Sequence, residues 1–132
     1  MRQFDVVVAS HGGLGTALLE AAAMITGPVE HATAVGLDPA DSPETYRERL
    51  LATVAPGRPT LILTDLFGGT PQNVAIAATR SQPVRCISGA NLGVVIEALT
   101  ADEPLGDALV ERLVAAARES IVDIAARMAS RA

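Results

Sequence analysis

The chain has 132 residues, 49% of them hydrophobic, enough to bury one core and to form a single domain over residues 1–132. The formal net charge is −5, and the ten basic residues, all arginine, make no basic stripe, which argues against nucleic acid as a partner. No apolar run approaches the ~18–20 residues of a membrane span, the N-terminus lacks a signal-peptide pattern, and the single cysteine, Cys86, excludes an internal disulfide. A cytoplasmic protein is expected.

Aromatic residues make up only 2% of the chain, so the core must be built from Ala, Val, Leu and Ile. Phe4–Ala9 is an apolar run interrupted only by Asp5, the pattern of a strand covered on both faces. Ser10 to Gly13 form the turn that follows, with His11 where the strand would end. Leu14–Ile25 follows as a helix, with Leu14, Leu18, Ala21, Ala22 and Ile25 at helical spacing and Gly27-Pro28 as its stop. His31–Leu37 reads as a weaker strand. Ser42-Pro43-Glu44 is a strong helix start, with a capping hydroxyl, a first-turn proline and an early carboxylate, and that helix runs to about Val54.

Thr60–Thr64 is the second strong strand; it ends at Asp65, followed by the turn Gly68-Gly69. Thr70-Pro71 repeats the cap-plus-proline helix start, and Gln72–Thr79 continues that helix. Val84–Ser88 reads as a fourth strand, Gly89 as a turn and Asn91–Leu99 as a helix. After the break at Ala101–Pro104, Asp107 to about Met128 reads as one long helix with an apolar stripe of Leu109, Leu113, Ala117, Ile121, Ile124 and Met128.

The alternation of strands and helices implies an α/β doubly wound, mainly parallel four-stranded sheet with helices on both faces and right-handed crossovers. Ligands of such sheets bind outside the carboxyl ends of the strands, where the strand order reverses. With the order 2-1-3-4 that point lies between the first and third strands, and His11 and Asp65 stand at their ends.

An imidazole beside a carboxylate suits nucleophilic chemistry. A carboxylate accepting a hydrogen bond from Nδ1–H fixes the tautomer, leaves Nε2 bare and stabilises positive charge on the ring. Attack on a phosphoryl group then gives a phosphohistidine. The phosphoryl oxygens need donors, and the backbone N–H groups of Gly12, Gly13, Gly68, Gly69 and Thr70, with the Thr70 hydroxyl, are the candidates. No cation or other cofactor is needed where the phosphoryl group passes between proteins and already sits on nitrogen. Leu14, Leu66 and Phe67 form a candidate apolar rim for a docking partner.

Plainer roles exist for each of these residues. A histidine after a strand serves many turns as a capping donor, an aspartate bonds its own backbone in a turn, and paired glycines make tight turns without chemistry. His31 has no carboxylate in a matching position and reads as structural or solvent-exposed. Cys86 reads as a small core residue. Gly13-Leu14-Gly15 is a weak match to a dinucleotide fingerprint, because Leu18 stands where the third glycine belongs. Ser10, His11 and Asp65 invite a hydrolase triad but lack the G-x-S-x-G elbow; loss of activity on Ser10→Ala would identify a hydrolase. Two distant histidines and one cysteine make a poor metal site.

Three segments together carry a family resemblance: S-H-G at the end of the first strand, D-L-F-G-G-T-P after the third, and S-G-A-N-L before the fourth helix. Over essentially the whole chain they resemble the mannose-class enzyme IIA domain of the bacterial phosphoenolpyruvate-dependent sugar phosphotransferase system. The resemblance implies a doubly wound parallel sheet, usually dimeric. It implies a domain that takes a phosphoryl group from the phosphocarrier protein HPr and passes it to a IIB component. The family's phosphorylated histidine, modified on Nε2, falls on His11, and its supporting aspartate falls on Asp65. The glycine-turn and hydroxyl positions fall on Gly68, Gly69 and Thr70, and Phe67 falls on a rim position. IIB is expected to be a separate protein, and exchange of a C-terminal strand between dimer partners is left open, since Asp107–Met128 reads as helix. Two related readings change the partner: a module whose phosphorylation state regulates another protein, and a phosphodonor domain for a dihydroxyacetone kinase, against which the D-L-F-G-G-T-P loop argues. Nothing in the sequence names a sugar.

Overall fold

The computed structural model describes residues 3–80 and 83–130. Four apolar runs form the strands β1 (Asp5–His11), β2 (Ala32–Leu37), β3 (Thr60–Thr64) and β4 (Val84–Ser88). All pair in parallel, in the order β2-β1-β3-β4. The helices are α1 (Leu14–Thr26), α2 (Pro43–Ala52), α3 (Thr70–Ala78), α4 (Leu92–Thr100), α5 (Asp107–Glu119) and α6 (Ile124–Ala129).

Strand periodicity divides the core in two. Val6 and Val8 of β1, with Leu61 and Leu63 of β3, face α1, α4 and α5 in one buried layer. Val7 and Ala9, with Ile62, face Tyr46 and Leu50 of α2 and Val74, Ala75 and Ala78 of α3 in the other. Because both faces are covered, the strands are mainly apolar, and the expected doubly wound sheet follows.

β1 runs two residues further than the apolar run indicated. Ser10 and His11 pair with Gly36 and Leu37 of β2, and the Gly12 N–H donates to the Leu37 carbonyl at 2.9 Å. His11 is therefore the last residue of a central strand rather than part of a turn.

The long C-terminal helix divides into α5 and α6. Asn91, the N-cap of α4, donates through Nδ2 to the Ala117 carbonyl and to Ser120 Oγ, both at 3.0 Å, and Ser120 Oγ donates to the same carbonyl at 2.8 Å. These bonds occupy carbonyl and hydroxyl groups at the end of α5, and Asp123 caps a new start by accepting from the Ala126 N–H. Leu109 and Leu113 of the stripe are buried, but Ile121, Ile124 and Met128 remain exposed. No helix among the described residues is long and apolar enough to cross a membrane.

Candidate functional site

Topology brings His11 and Asp65 together at the carboxyl ends of neighbouring strands, on either side of the reversal point. The His11 Nδ1 and Asp65 Oδ2 lie 3.0 Å apart, and the His11 backbone N–H donates to the same oxygen at 2.9 Å. The carboxylate has only acceptors, so the neutral ring carries its proton on Nδ1 and leaves Nε2 with a free lone pair. Exposure is divided to match: the imidazole is 47% exposed, while the carboxylate is 10% exposed and behind it. Asp65 Oδ1 is buried and makes no hydrogen bond to the described residues. A buried acceptor of this kind costs stability, and such groups concentrate where the chemistry requires them.

Two glycines make room for the histidine. A Cβ on Gly69 would stand 2.8 Å from His11 Cε1 and 3.4 Å from Nε2, so the ring edge lies against the Gly69 backbone. A Cβ on Gly36 would stand 2.1 Å from the Gly12 carbonyl, so β2 permits the turn after His11 only by lacking a side chain there. Gly36 was not marked by any motif, because a strand residue without a turn signal gives no local hint of a neighbour's backbone. Its carbonyl accepts from Arg49 Nη2 at 2.8 Å, and Arg49 also pairs with Asp41. The Asp38 backbone bond, and then Arg49, hold the Asp41 carboxyl below its ordinary range.

The expected phosphoryl donors divide into two groups. The N–H groups of Gly12 and Gly68 are already engaged, by the Leu37 carbonyl and by Gln72 Oε1 at 2.5 Å respectively. Contrary to expectation, neither residue offers a free backbone donor; their part is to shape the turns, each with positive φ, +53° at Gly12 and +91° at Gly68. Gly13 and Gly69 are the N-caps of α1 and α3, and neither residue supplies a side-chain cap. The first-turn N–H groups there, with that of Thr70, lack intrahelical partners and carry the positive end of the helix dipole. Thr70 also lines a cleft of about 270 Å³ between α2 and α3, with Arg47 and Asn73.

Leu14, at the start of α1, and Leu66 and Phe67, which follow Asp65, are exposed, at 45%, 57% and 82%. A groove of about 470 Å³, mainly apolar, lies beyond Phe67 between α3, β4 and α5, and His11 does not line it. The histidine is half exposed, and large apolar side chains are exposed on the segments that follow it and Asp65.

Ser10 is fully buried; its Oγ accepts from the Gly15 N–H at 2.8 Å, so it braces the start of α1 and is no nucleophile. That removes the hydrolase reading. His31 does have a carboxylate near it, contrary to expectation: Asp5 Oδ1 lies 3.6 Å from Nδ1 and also pairs with Arg58 Nε at 3.0 Å. This group lies at the amino ends of β1, β2 and β3, at the far end of the sheet from His11. Cys86 packs against the second core layer as expected, and burial pushes its thiol up to about 11. In S-G-A-N-L, Ser88 accepts from Thr64 Oγ1 at 2.7 Å and Asn91 caps α4, so the segment is architectural. Among the described residues no three His, Cys, Asp or Glu side chains converge on a metal-sized point.

Residues 5–120 match the family model EIIA-man, described as PTS system fructose IIA component. The chain is similar to the PTS system fructose-specific EIIA component of Bacillus subtilis (strain 168), 30% identical over 105 residues that span 76% of this chain and 72% of that protein. It is 26% identical over 132 residues to the PTS system sorbose-specific EIIA component of Lacticaseibacillus casei, covering 97% and 96% of the two. Its fold superposes, with a TM-score of 0.88, on the mannose/sorbose-specific IIA subunit from Enterococcus faecalis, 30% identical and covering 93% and 95% of the two chains.

Proposed function

Because this chain belongs to the family of phosphotransferase-system fructose IIA components, within the mannose class of IIA proteins, we propose that it carries a phosphoryl group on His11 Nε2, received from phospho-HPr and delivered to a separate IIB component. The observation that carries this reading is the double hold of Asp65 Oδ2 on His11, through its Nδ1 and through its backbone N–H.

The chemistry balances without an added cofactor. The Nε2 lone pair attacks the phosphorus of the donor's phosphohistidine. An N–P bond forms at Nε2 as the donor's N–P bond breaks, and the donor nitrogen leaves with the electron pair as neutral imidazole. The Nδ1 proton remains between His11 and Asp65. The phosphorylated ring takes on imidazolium character, and the Asp65 charge stabilises it. First-turn N–H groups at Gly13, Gly69 and Thr70, and the Thr70 hydroxyl, face the phosphoryl oxygens. Onward transfer is the same displacement, with His11 Nε2 as leaving group and a nucleophile of IIB attacking. Neutral imidazole leaves readily, so the intermediate stays labile enough to pass on.

Leu14, Leu66 and Phe67 form the face that HPr and IIB dock on in turn, and the net charge of −5 favours basic partner surfaces. The protein works in the cytoplasm as a homodimer, with the exposed C-terminal residues Ile121, Ile124 and Met128 contributing to the contact. A monomeric mass in solution at micromolar concentration would count against that contact. The phosphoryl reading is tested by intact mass after incubation with phosphoenolpyruvate, enzyme I and HPr. One acid-labile phosphoryl adduct is expected on the wild type and none on His11→Ala. No adduct on the wild type, beside phosphorylated HPr in the same tube, would refute it.

A further inference from the structure

The segment 65–69 joins β3 to α3 and packs into five residues the carboxylate, two rim residues and both turn glycines. The peptide in its middle is gripped by the first turn of the helix it leads into. Gln72 Oε1 accepts the Gly68 N–H at 2.5 Å, and Asn73 Nδ2 donates to the Gly68 carbonyl at 3.5 Å. Gln72 is only 7% exposed, so this is a buried side-chain carbonyl with a specific donor. Either group left unpaired would carry the desolvation cost of a buried polar group without the bond that offsets it. Gly68 itself has wide backbone freedom, and at φ +91° it occupies a region that an L side chain would avoid. The backbone's own preferences therefore do not hold this path; the bond to Gln72 does.

The residues on either side of the held peptide are the ones that matter for transfer. Gly69 lies against the imidazole, with its Cβ position 2.8 Å from Cε1 and 3.4 Å from Nε2. Phe67, the most exposed rim residue, lines the same groove as Gln72. A shift of the Gly68 peptide would move both.

We infer that Gln72 is a positioning residue for phosphoryl transfer. By holding the Gly68 peptide it sets where the Gly69 and Thr70 donors stand relative to His11 Nε2, and it ties that placement to the angle at which Phe67 meets a docking protein. Gln72 acts through the loop and takes no part in bond making. The inference rests on His11 being the phosphoryl carrier.

The test is Gln72→Met, which keeps the length and volume of the side chain and removes the acceptor. Phosphoryl uptake is measured over a range of phospho-HPr concentrations, and exchange of the Gly68 amide proton is followed by NMR. The wild type should take up phosphate and show a protected Gly68 amide. In Q72M that protection should be lost, and the maximal rate should fall about 10-fold or more, as expected for a sub-ångström displacement of reacting groups. The half-saturating concentration should change by less than the rate does. Gln72→Glu retains an acceptor for the same N–H and should keep the amide protected, including where Q72M fails to fold. A Q72M protein that loses Gly68 protection yet transfers within twofold of the wild-type rate would overturn the inference. So would a wild-type Gly68 amide that exchanges as an open loop, or a Q72E amide that does. A wild type that takes up no phosphate would overturn the carrier reading itself, and this inference with it.

Discussion

Gly69→Ala separates the chemistry of the site from the stability of the fold. Gly69 has φ −81° and ψ 170°, a conformation alanine adopts freely, so the substitution strains no backbone. The change at the N-cap of α3 and the reduced freedom of the unfolded chain oppose each other, leaving stability within about 1 kcal/mol of wild type. The new methyl would lie 2.8 Å from His11 Cε1, against the 3.4 Å at which ordinary contact begins. The imidazole is half exposed and has room to swing, so it yields by about 0.6 Å or more at little cost in stability. That motion disturbs the 3.0 Å Nδ1–Oδ2 bond and misaligns Nε2 with the first-turn donors. Displacements approaching 1 Å cost about 10²-fold in positioned reactions, so uptake from phospho-HPr should fall roughly 10–10²-fold while the melting temperature holds. The assay is the initial rate of acid-labile label incorporation, alongside a thermal melt of the same sample. A Gly69→Ala protein that folds and takes up phosphate within twofold of wild type would refute the account of the ring's seat.

Asp65→Asn keeps a carbonyl for both His11 donors and removes the charge. Uptake should fall about 10–10²-fold, the rate equivalent of the ~1.5–3 kcal/mol carried by a charged hydrogen bond. Stability should be little changed, since the buried and unpartnered Oδ1 is already a cost, and a parallel melt checks this. Gly36→Ala forces backbone against backbone at the Gly12 carbonyl, so melting temperature and uptake should fall together, with stability lost by about 1–3 kcal/mol. Cys86 should react with an alkylating reagent at pH 8 about 10²-fold more slowly than a free thiol, because burial lifts its pKa from 9.0 to about 11. Unfolding exposes that thiol and lets it ionise from pH 9 upward, so its contribution to stability is full below pH 9 and is lost as the pH rises towards 11. In a pH series of melts, Cys86→Ala should lack that component.

Much of the fold was readable because its determinants are local. β1 and β3 are dominated by apolar runs, and Ser42-Pro43 starts α2 by a capping hydroxyl and a proline; Pro71 marks the start of α3, but its N-cap is Gly69 and Thr70 does not cap it. The pairing of His11 with Asp65 was readable through topology, since two strong strands in a doubly wound sheet place their carboxyl ends side by side. Determinants distant in sequence were not readable. Ile121 and Ile124 continue the apolar stripe of α5, and nothing near them shows that Asn91 occupies the end of that helix. The extension of β1 through His11 depends on pairing with Gly36 and Leu37. The engagement of the Gly12 and Gly68 N–H groups depends on Leu37 and Gln72, partners that a turn motif does not include. A glycine motif marks where backbone freedom is needed, and only the packed chain shows which of its donors remain free.

The central claim is that Asp65 holds the His11 proton on Nδ1 so that Nε2 carries the phosphoryl group. The most direct measurement is a long-range ¹H–¹⁵N correlation of the histidine side chains, with ³¹P detection, before and after phosphorylation by enzyme I and HPr. The account predicts an Nδ1–H tautomer for His11 in the free protein and a phosphoryl group on His11 Nε2 afterwards, with His31 unmodified. A phosphoryl group on Nδ1 of His11, or on His31, would contradict it.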